Sequence, residues 1–383
     1  MHEFYYPKCC TREGVKGRKR RSVKSRKKLF FSLEQQPLTA ARNRNTHTKE
    51  KRTFCATKSG HKKERRQTPP PQTTTTTTTT TTLLPLLIKR MLHLIGLGLG
   101  NEKDITVNAL DAIRRCGRIY LENYTSVLCC SAETLERFYE REITVCDRAF
   151  VESDGVDGML KRAEEEDVAF LVVGDCFAAT THADLVLRAH EKNVKVKTYY
   201  NASIMNACAG SGLQLYNFGK TVSLCFFTKT WKPDSFYDSI KMNKSNGGLH
   251  TLVLLDIRVK EPTVEALCTG KKIYEPARFM SVSTAARQML YVENEVRKEG
   301  VYNEDSMVVA TARVGQEDER FISCTLKEMC RINAGGPLHS LILVGTEVHE
   351  LEENMLKHYR AKPEDFYPDG KEPPNQYLEE DVL

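Results

Sequence analysis

Two short glycine motifs, each closing an apolar run, are the residues of this chain best suited to hold a ligand. Gly96-Leu-Gly-Leu-Gly100 follows Met91-Leu-His-Leu-Ile95, and Gly174-Asp175 follows Ala169-Phe-Leu-Val-Val173. A glycine loop leaving a strand and entering a helix lets backbone come close to a nucleotide, although close strand–helix packing asks for the same residues. An aspartate just past the carboxyl end of a buried strand sits where open α/β sheets bind ligands, and equally where a loop needs a side-chain cap. Asn201-Ala-Ser-Ile-Met-Asn206 offers small residues against which a flat ring can lie, with Ser203 also placed to cap a helix. Glu122 falls where a dinucleotide-binding protein puts its ribose acid, so a dinucleotide-dependent oxidoreductase is one reading. The spacing speaks against it, because the loop is G-x-G-x-G and Asn101 occupies the place of the third fingerprint glycine.

These loops need elements to position them. The apolar periodicity predicts strands over 92–97, 118–121, 143–145, 169–173 and 195–200, with helices over 104–116 and 180–190. Gly117 is placed to cap the first helix, and Thr181 with Asp184 resembles a capping box for the second. A helix over 204–213 follows. Further on, strands are expected over 222–227, 250–257, 307–314 and 340–344, with helices over 234–244 and around Ala285, Met289 and Val292. Strand–helix alternation throughout predicts an α/β fold of two α/β domains with largely parallel sheets and a cofactor cleft between them. The domains are set at 91–203 and 204–356, followed by a polar tail, 357–383, expected to fray.

The formal charge of +7 averages two unlike pieces. Residues 1–90 hold 23 Lys and Arg against 5 Asp and Glu, whereas the remainder holds 34 against 45, a net −11. A nucleic-acid role for the folded part loses its support on that partition. The extension has a basic run at 18–28, Pro69–Pro71 and ten threonines from Thr73 to Thr82. That composition cannot bury enough apolar surface to offset ordering entropy, so 1–90 is expected to be disordered. It reads as a localisation or RNA-binding tail, an organellar leader, or an upstream artefact of a protein whose translation starts at Met91; the last is preferred. The 13 cysteines lack any Cys-x-x-Cys pair, which fits reduced thiols in the cytoplasm and no metal site. No apolar stretch is long enough to span a bilayer.

At a finer grain, Ile95-Gly-Leu-Gly-Leu-Gly100, Leu121-Glu-Asn-Tyr-Thr-Ser126, Val172-Val-Gly-Asp175, Ala179-Thr-Thr-His182, Asn201-Ala-Ser-Ile-Met-Asn206, Ala312-Arg-Val-Gly315 and Pro337-Leu-His-Ser-Leu341 occur in order. Together they resemble the diphthine synthase family, in the tetrapyrrole-methylase-like superfamily, from Met91 to about Gly345. The resemblance implies a homodimeric methyltransferase that binds S-adenosyl-L-methionine in the interdomain cleft. It places cofactor contacts on Leu99, Asp175, Ala178, Ser203, Ile204, Leu255, Val314 and His339. It also implies a protein substrate, translation elongation factor 2, methylated on a 3-amino-3-carboxypropyl-histidine to diphthine methyl ester. Two positions depart from the family's usual Gly-Asp-Pro-Phe-Gly. Cys176 replaces proline and Ala178 replaces glycine, which would weaken cofactor binding if φ at 178 had to be positive. A non-catalytic elongation-factor-binding module is therefore a second alternative. Methyl transfer from a sulfonium needs no covalent intermediate, so Cys176 is not expected to be a nucleophile. No catalytic residue is identified; His339 could neutralise the amine but is read in preference as a structural or ligand-edge hydrogen bonder, and His182 as structural or cofactor-adjacent. Trp231 is assigned to a dimer interface in preference to a substrate grip.

Overall fold

The computed structural model describes residues 90–123, 128, 130–147, 150, 155–259, 263, 274–368 and 371. The basic and threonine-rich extension through residue 89, and the chain beyond 371, lie outside them. Among the described residues no helix is long and apolar enough to cross a membrane.

The first sheet holds β1 (Met91–Gly96), β2 (Arg118–Glu122), β3 (Thr144–Cys146), β4 (Val168–Val172) and β5 (Lys195–Tyr199) in the order β3-β2-β4-β1-β5. Every pairing is parallel. Val168, Phe170 and Val172 of β4 enter one apolar cluster while Ala169 and Leu171 enter another. Burial on both faces is why this strand is apolar without alternation. The parallel direction puts the carboxyl ends of β4, β1 and β5 side by side, so the loops after them form one rim.

The second sheet holds β6 (Val222–Leu224), β7 (Thr251–Leu255), β10 (Met307–Ala312), β11 (Arg320–Thr325) and β12 (His339–Leu343) in the order β11-β10-β12-β7-β6. Here the expected parallel arrangement gives way. Only β6–β7 is parallel; β7–β12, β12–β10 and β10–β11 are antiparallel. The segment 313–319 is too short for the crossover of a dozen or more residues that a parallel β10–β11 pair requires. A ribbon of β8 (Ile257–Arg258) and β9 (Arg278–Phe279) leads from β7 toward the helix Val282–Tyr291.

Several local expectations are corrected. The first helix is Val107–Arg115, capped by the Thr106 side chain; Cys116 is already extended, and Gly117 instead donates its N–H to Asp167 at 2.8 Å. Thr181 makes no side-chain cap; the neighbouring Thr180 hydroxyl donates to the Cys176 carbonyl at 2.6 Å. The α-helix at Ile204–Ala207 tightens into a 3-10 turn at Cys208–Ser211, because Gly212 takes φ +88° and turns the chain away. Helices Ala132–Tyr139 and Gly155–Glu165 and strand β11 are additions to the expected set.

The described part of the tail, to residue 368, is packed rather than frayed, and the rest of the expected tail, Lys371 apart, lies outside the described residues. The helix Glu350–His358 runs past that point, the Ala361 N–H donates to Ser323 O at 2.9 Å, and Asp365 pairs with Arg320. Glu352 of this helix is fully buried. Its carboxylate accepts from Gln214 N, Asn217 Nδ2, His250 Nε2 and His349 N. His250 is a neutral donor there, since its Nδ1 accepts from Gly345 N at 2.8 Å. Burial alone would raise the Glu352 pKa, but those donors outweigh it and leave it below the usual carboxylate value. One buried anion thus fastens the last helix to the segment that joins the two sheets.

Candidate functional site

The loops after β1, β4 and β5 meet around glycine. Gly98 and Gly174 exchange two backbone hydrogen bonds, at 3.1 and 2.8 Å, with φ of +81° and +78°. A Cβ on Gly96 would stand 2.7 Å from Gly174 O, and one on Gly100 would overlap the Gly315 carbonyl of the second sheet's loop. All three glycines of the first motif are therefore used in packing backbone against backbone. Asn201 ties the loops together: its Nδ2 donates to Gly96 O and Asp104 O, both at 3.0 Å, and its N–H donates to Asp175 Oδ2 at 3.0 Å. The other Asp175 oxygen accepts from Phe177 N at 2.9 Å. Asp175 is thus a loop cap, and still faces the space in front of it.

That space is a cavity of about 200 Å³ between the two sheets. The first sheet contributes Leu99, Asp175 and Ala178 from its loops, and Ser203 and Ile204 follow from the start of the connecting segment. Ser203 caps that short helix through Met205 N and lines the cavity as well, so both of its sequence readings hold together. The second sheet contributes Leu255, Val314 and His339. Antiparallel register explains why these distant residues converge: Ala312 lies opposite His339, and Ser340 opposite Leu254. All eight residues marked from the sequence border this one cavity.

Arg313 also borders it and was not marked. It is buried, with φ +49°. Its Nη1 donates to Ala334 O at 2.8 Å and Gly336 O at 2.6 Å, while Nε and Nη2 hold Asp318. His339 Nε2 donates to the same Gly336 carbonyl at 2.8 Å. Because that carbonyl only accepts, Nε2 carries the ring proton and Nδ1 is a bare acceptor. Burial pushes the His339 pKa down to about 4, so the ring is neutral near pH 7. The Ala312-Arg-Val-Gly315 motif was the signal available for Arg313.

The remaining reactive groups face away. Cys176 is buried, its Sγ directed to Tyr199 O at 3.8 Å, and burial raises its thiol to about 12, which leaves no thiolate to attack. Glu122 is 1% exposed and lies behind the Gly174–Thr180 loop, 3.5 Å from His182 Nε2, where it cannot reach a ribose. Past Gly174, the positive φ of the loop falls on Ala179, at +59°, and not on Ala178. Replacing glycine by alanine at 178 therefore carries no left-handed strain.

Comparison with known proteins gives this cavity its context. The family model of tetrapyrrole (corrin/porphyrin) methylases matches residues 91–330. A Neurospora crassa diphthine methyl ester synthase is 53% identical over 278 residues, covering 72% of this chain and 96% of its own length. The chain belongs to the diphthine methyl ester synthase family. The Homo sapiens diphthine methyl ester synthase is likewise 53% identical, over 70% of this chain and 94% of its own. A diphthine synthase crystal structure superimposes with a TM-score of 0.60 at 30% identity, covering 70% of this chain and 96% of that one. As a member of the diphthine methyl ester synthase family the protein is a methyltransferase with an α/β fold. With that membership, and with its glycines occupied in packing, the dinucleotide reading of Gly96–Gly100 is set aside.

Proposed function

We propose that the cavity binds S-adenosyl-L-methionine and that the enzyme methylates the 3-amino-3-carboxypropyl-histidine of translation elongation factor 2, three times on the amine and once on the carboxylate. The observation that carries this reading is the convergence of all eight family-marked residues on one cavity.

The lining suits such a donor. Each Asp175 oxygen is engaged by a single backbone N–H, so lone pairs remain for hydroxyl or ammonium groups. Leu99, Leu254, Leu255, Ile257 and Val314 supply apolar walls that exclude water and strengthen the pull between a nucleophile and a cation. A bound sulfonium donor supplies a methyl group that is already activated. The chain's own task is proximity and alignment. His339, with a pKa near 4, is too weak a base to strip an alkylammonium, so the amine has to arrive neutral. The carboxylate makes no such demand.

The same reading makes the enzyme a cytoplasmic homodimer with the domain division 91–203 and 204–356, Trp231 belonging to the dimer interface. The eight described cysteines are all free thiols, in keeping with a reducing compartment. The test is mass spectrometry of elongation factor 2 carrying the unmethylated precursor, after incubation with the enzyme and S-adenosyl-L-methionine. Successive gains of about one methyl mass on the modified histidine peptide support the proposal, and the final count reports whether the carboxylate is esterified. Donor binding without any gain would refute the substrate; absence of donor binding would refute the cavity assignment.

A further inference from the structure

Behind the wall formed by Gly174 to Thr180 lies a buried polar pair with no part in the reading above. His182 and Glu122 are each 1% exposed, and His182 packs edge-on against Phe170 with ring centroids 5.5 Å apart. His182 Nδ1 is 3.0 Å from the Cys176 carbonyl oxygen. A carbonyl only accepts, so Nδ1 is the donor. The opposite ring nitrogen lies 3.5 Å from Glu122 Oε2.

The Cys176 carbonyl is therefore drawn back into the protein, with Thr180 Oγ1 as its second donor at 2.6 Å. Asp175 on one side and Ala178, Ala179 and Thr180 on the other border the cavity. The loop's shape therefore depends on the donors that hold this carbonyl, His182 and Thr180. Two left-handed residues, Gly174 and Ala179, bracket the segment and allow it to turn there.

We infer that His182 is a positioning residue for methyl-donor binding, acting through the Cys176 carbonyl on Asp175 and Ala178. The inference rests on the reading that the cavity holds the donor. Glu122 belongs to β2 and His182 to the helix His182–Glu191, so the pair links the loop to the neighbouring strand.

The two ring nitrogens can be separated by substitution. An asparagine amide reaches the place of Nδ1 and keeps the bond to Cys176; a glutamine amide reaches the place of Nε2 and keeps only the contact with Glu122. The experiment measures calorimetric affinity for S-adenosyl-L-methionine, thermal midpoint and kcat at saturating donor for wild type, His182→Asn and His182→Gln. Both variants lose the ring and should melt at similarly lowered temperatures. Donor affinity should stay within about twofold of wild type in His182→Asn and fall about three- to tenfold in His182→Gln, the range expected for one hydrogen bond. In both, kcat at saturating donor should be retained. Equal loss of affinity in the two variants, following the melting temperature, would overturn the inference alone. Wild-type protein that binds no donor would overturn the cavity reading, and this inference with it.

Discussion

Replacing Gly96 by alanine tests whether the glycine loop exists to let three pieces of backbone meet. A Cβ at 96 would stand 2.7 Å from Gly174 O, 3.0 Å from Asn201 Cβ and 3.2 Å from Asp175 Cα, where ordinary contact begins near 3.4 Å. Two of the three are main-chain atoms and the third is a Cβ fixed to it, so no rotamer change relieves the overlap. The φ of Gly96 is not positive, so the whole effect is steric. Overpacking of this kind costs about 1–3 kcal/mol, which for a domain of this size lowers Tm by roughly 2–10 °C. The displaced residues are Asp175 and its partner Asn201, so donor affinity should fall as well. Gly247 is the control: its φ is +93° with open space around it, and alanine there should cost about 1–2 kcal/mol of backbone strain without touching affinity. Calorimetric binding and thermal melts on both variants decide the matter. Gly96→Ala with wild-type melting and wild-type affinity would refute the packing argument.

Arginine at Leu99 or Ala178 should fill the cavity and abolish donor binding by calorimetry while the melting temperature stays near wild type. Ala179→Gly should raise stability by about 0.5–1 kcal/mol in urea titration, by relieving a left-handed alanine; Ala178→Gly should give no such gain. His339 binds a proton in the unfolded chain below pH 6.5 but in the folded chain only near pH 4, so stability should fall with pH through that window, by at most about 3 kcal/mol. A His339→Gln variant should show a correspondingly flatter acid limb in melts from pH 7 to 4. Glu352→Gln sets an amide N–H against donors that need an acceptor and should cost about 2–4 kcal/mol in urea titration.

The first sheet was legible through β1 and β4, whose buried apolar runs lead into glycine, and parallel order follows from strand–helix alternation. The second was legible as strands but not as pairings. The turn at 313–319 sets β11 beside β10, and the insertion of β12 between β10 and β7 is fixed by partners far away in sequence. Strand Arg320–Thr325 escaped notice because Ser323, Cys324 and Thr325 dilute its apolar pattern even though Ser323 and Cys324 are fully buried. The cavity residues were found through motif resemblance; no spacing rule would place His339 beside Leu99. Arg313 and Asn201 were overlooked as individuals because their work is done on backbone carbonyls, and carbonyls leave no mark in a sequence.

The buried Glu352 anchor also sets an order of events during synthesis. Gln214 and His250 meet their acceptor only across 138 and 102 residues of chain. The amino-terminal strands can form while the ribosome is still translating. The connecting segment that carries Ser203 and Ile204 cannot be locked until residues near 352 have left the exit tunnel. A nascent chain stalled before that point would hold a formed first sheet beside an unfastened cavity wall, so capture of the donor belongs to the finished protein.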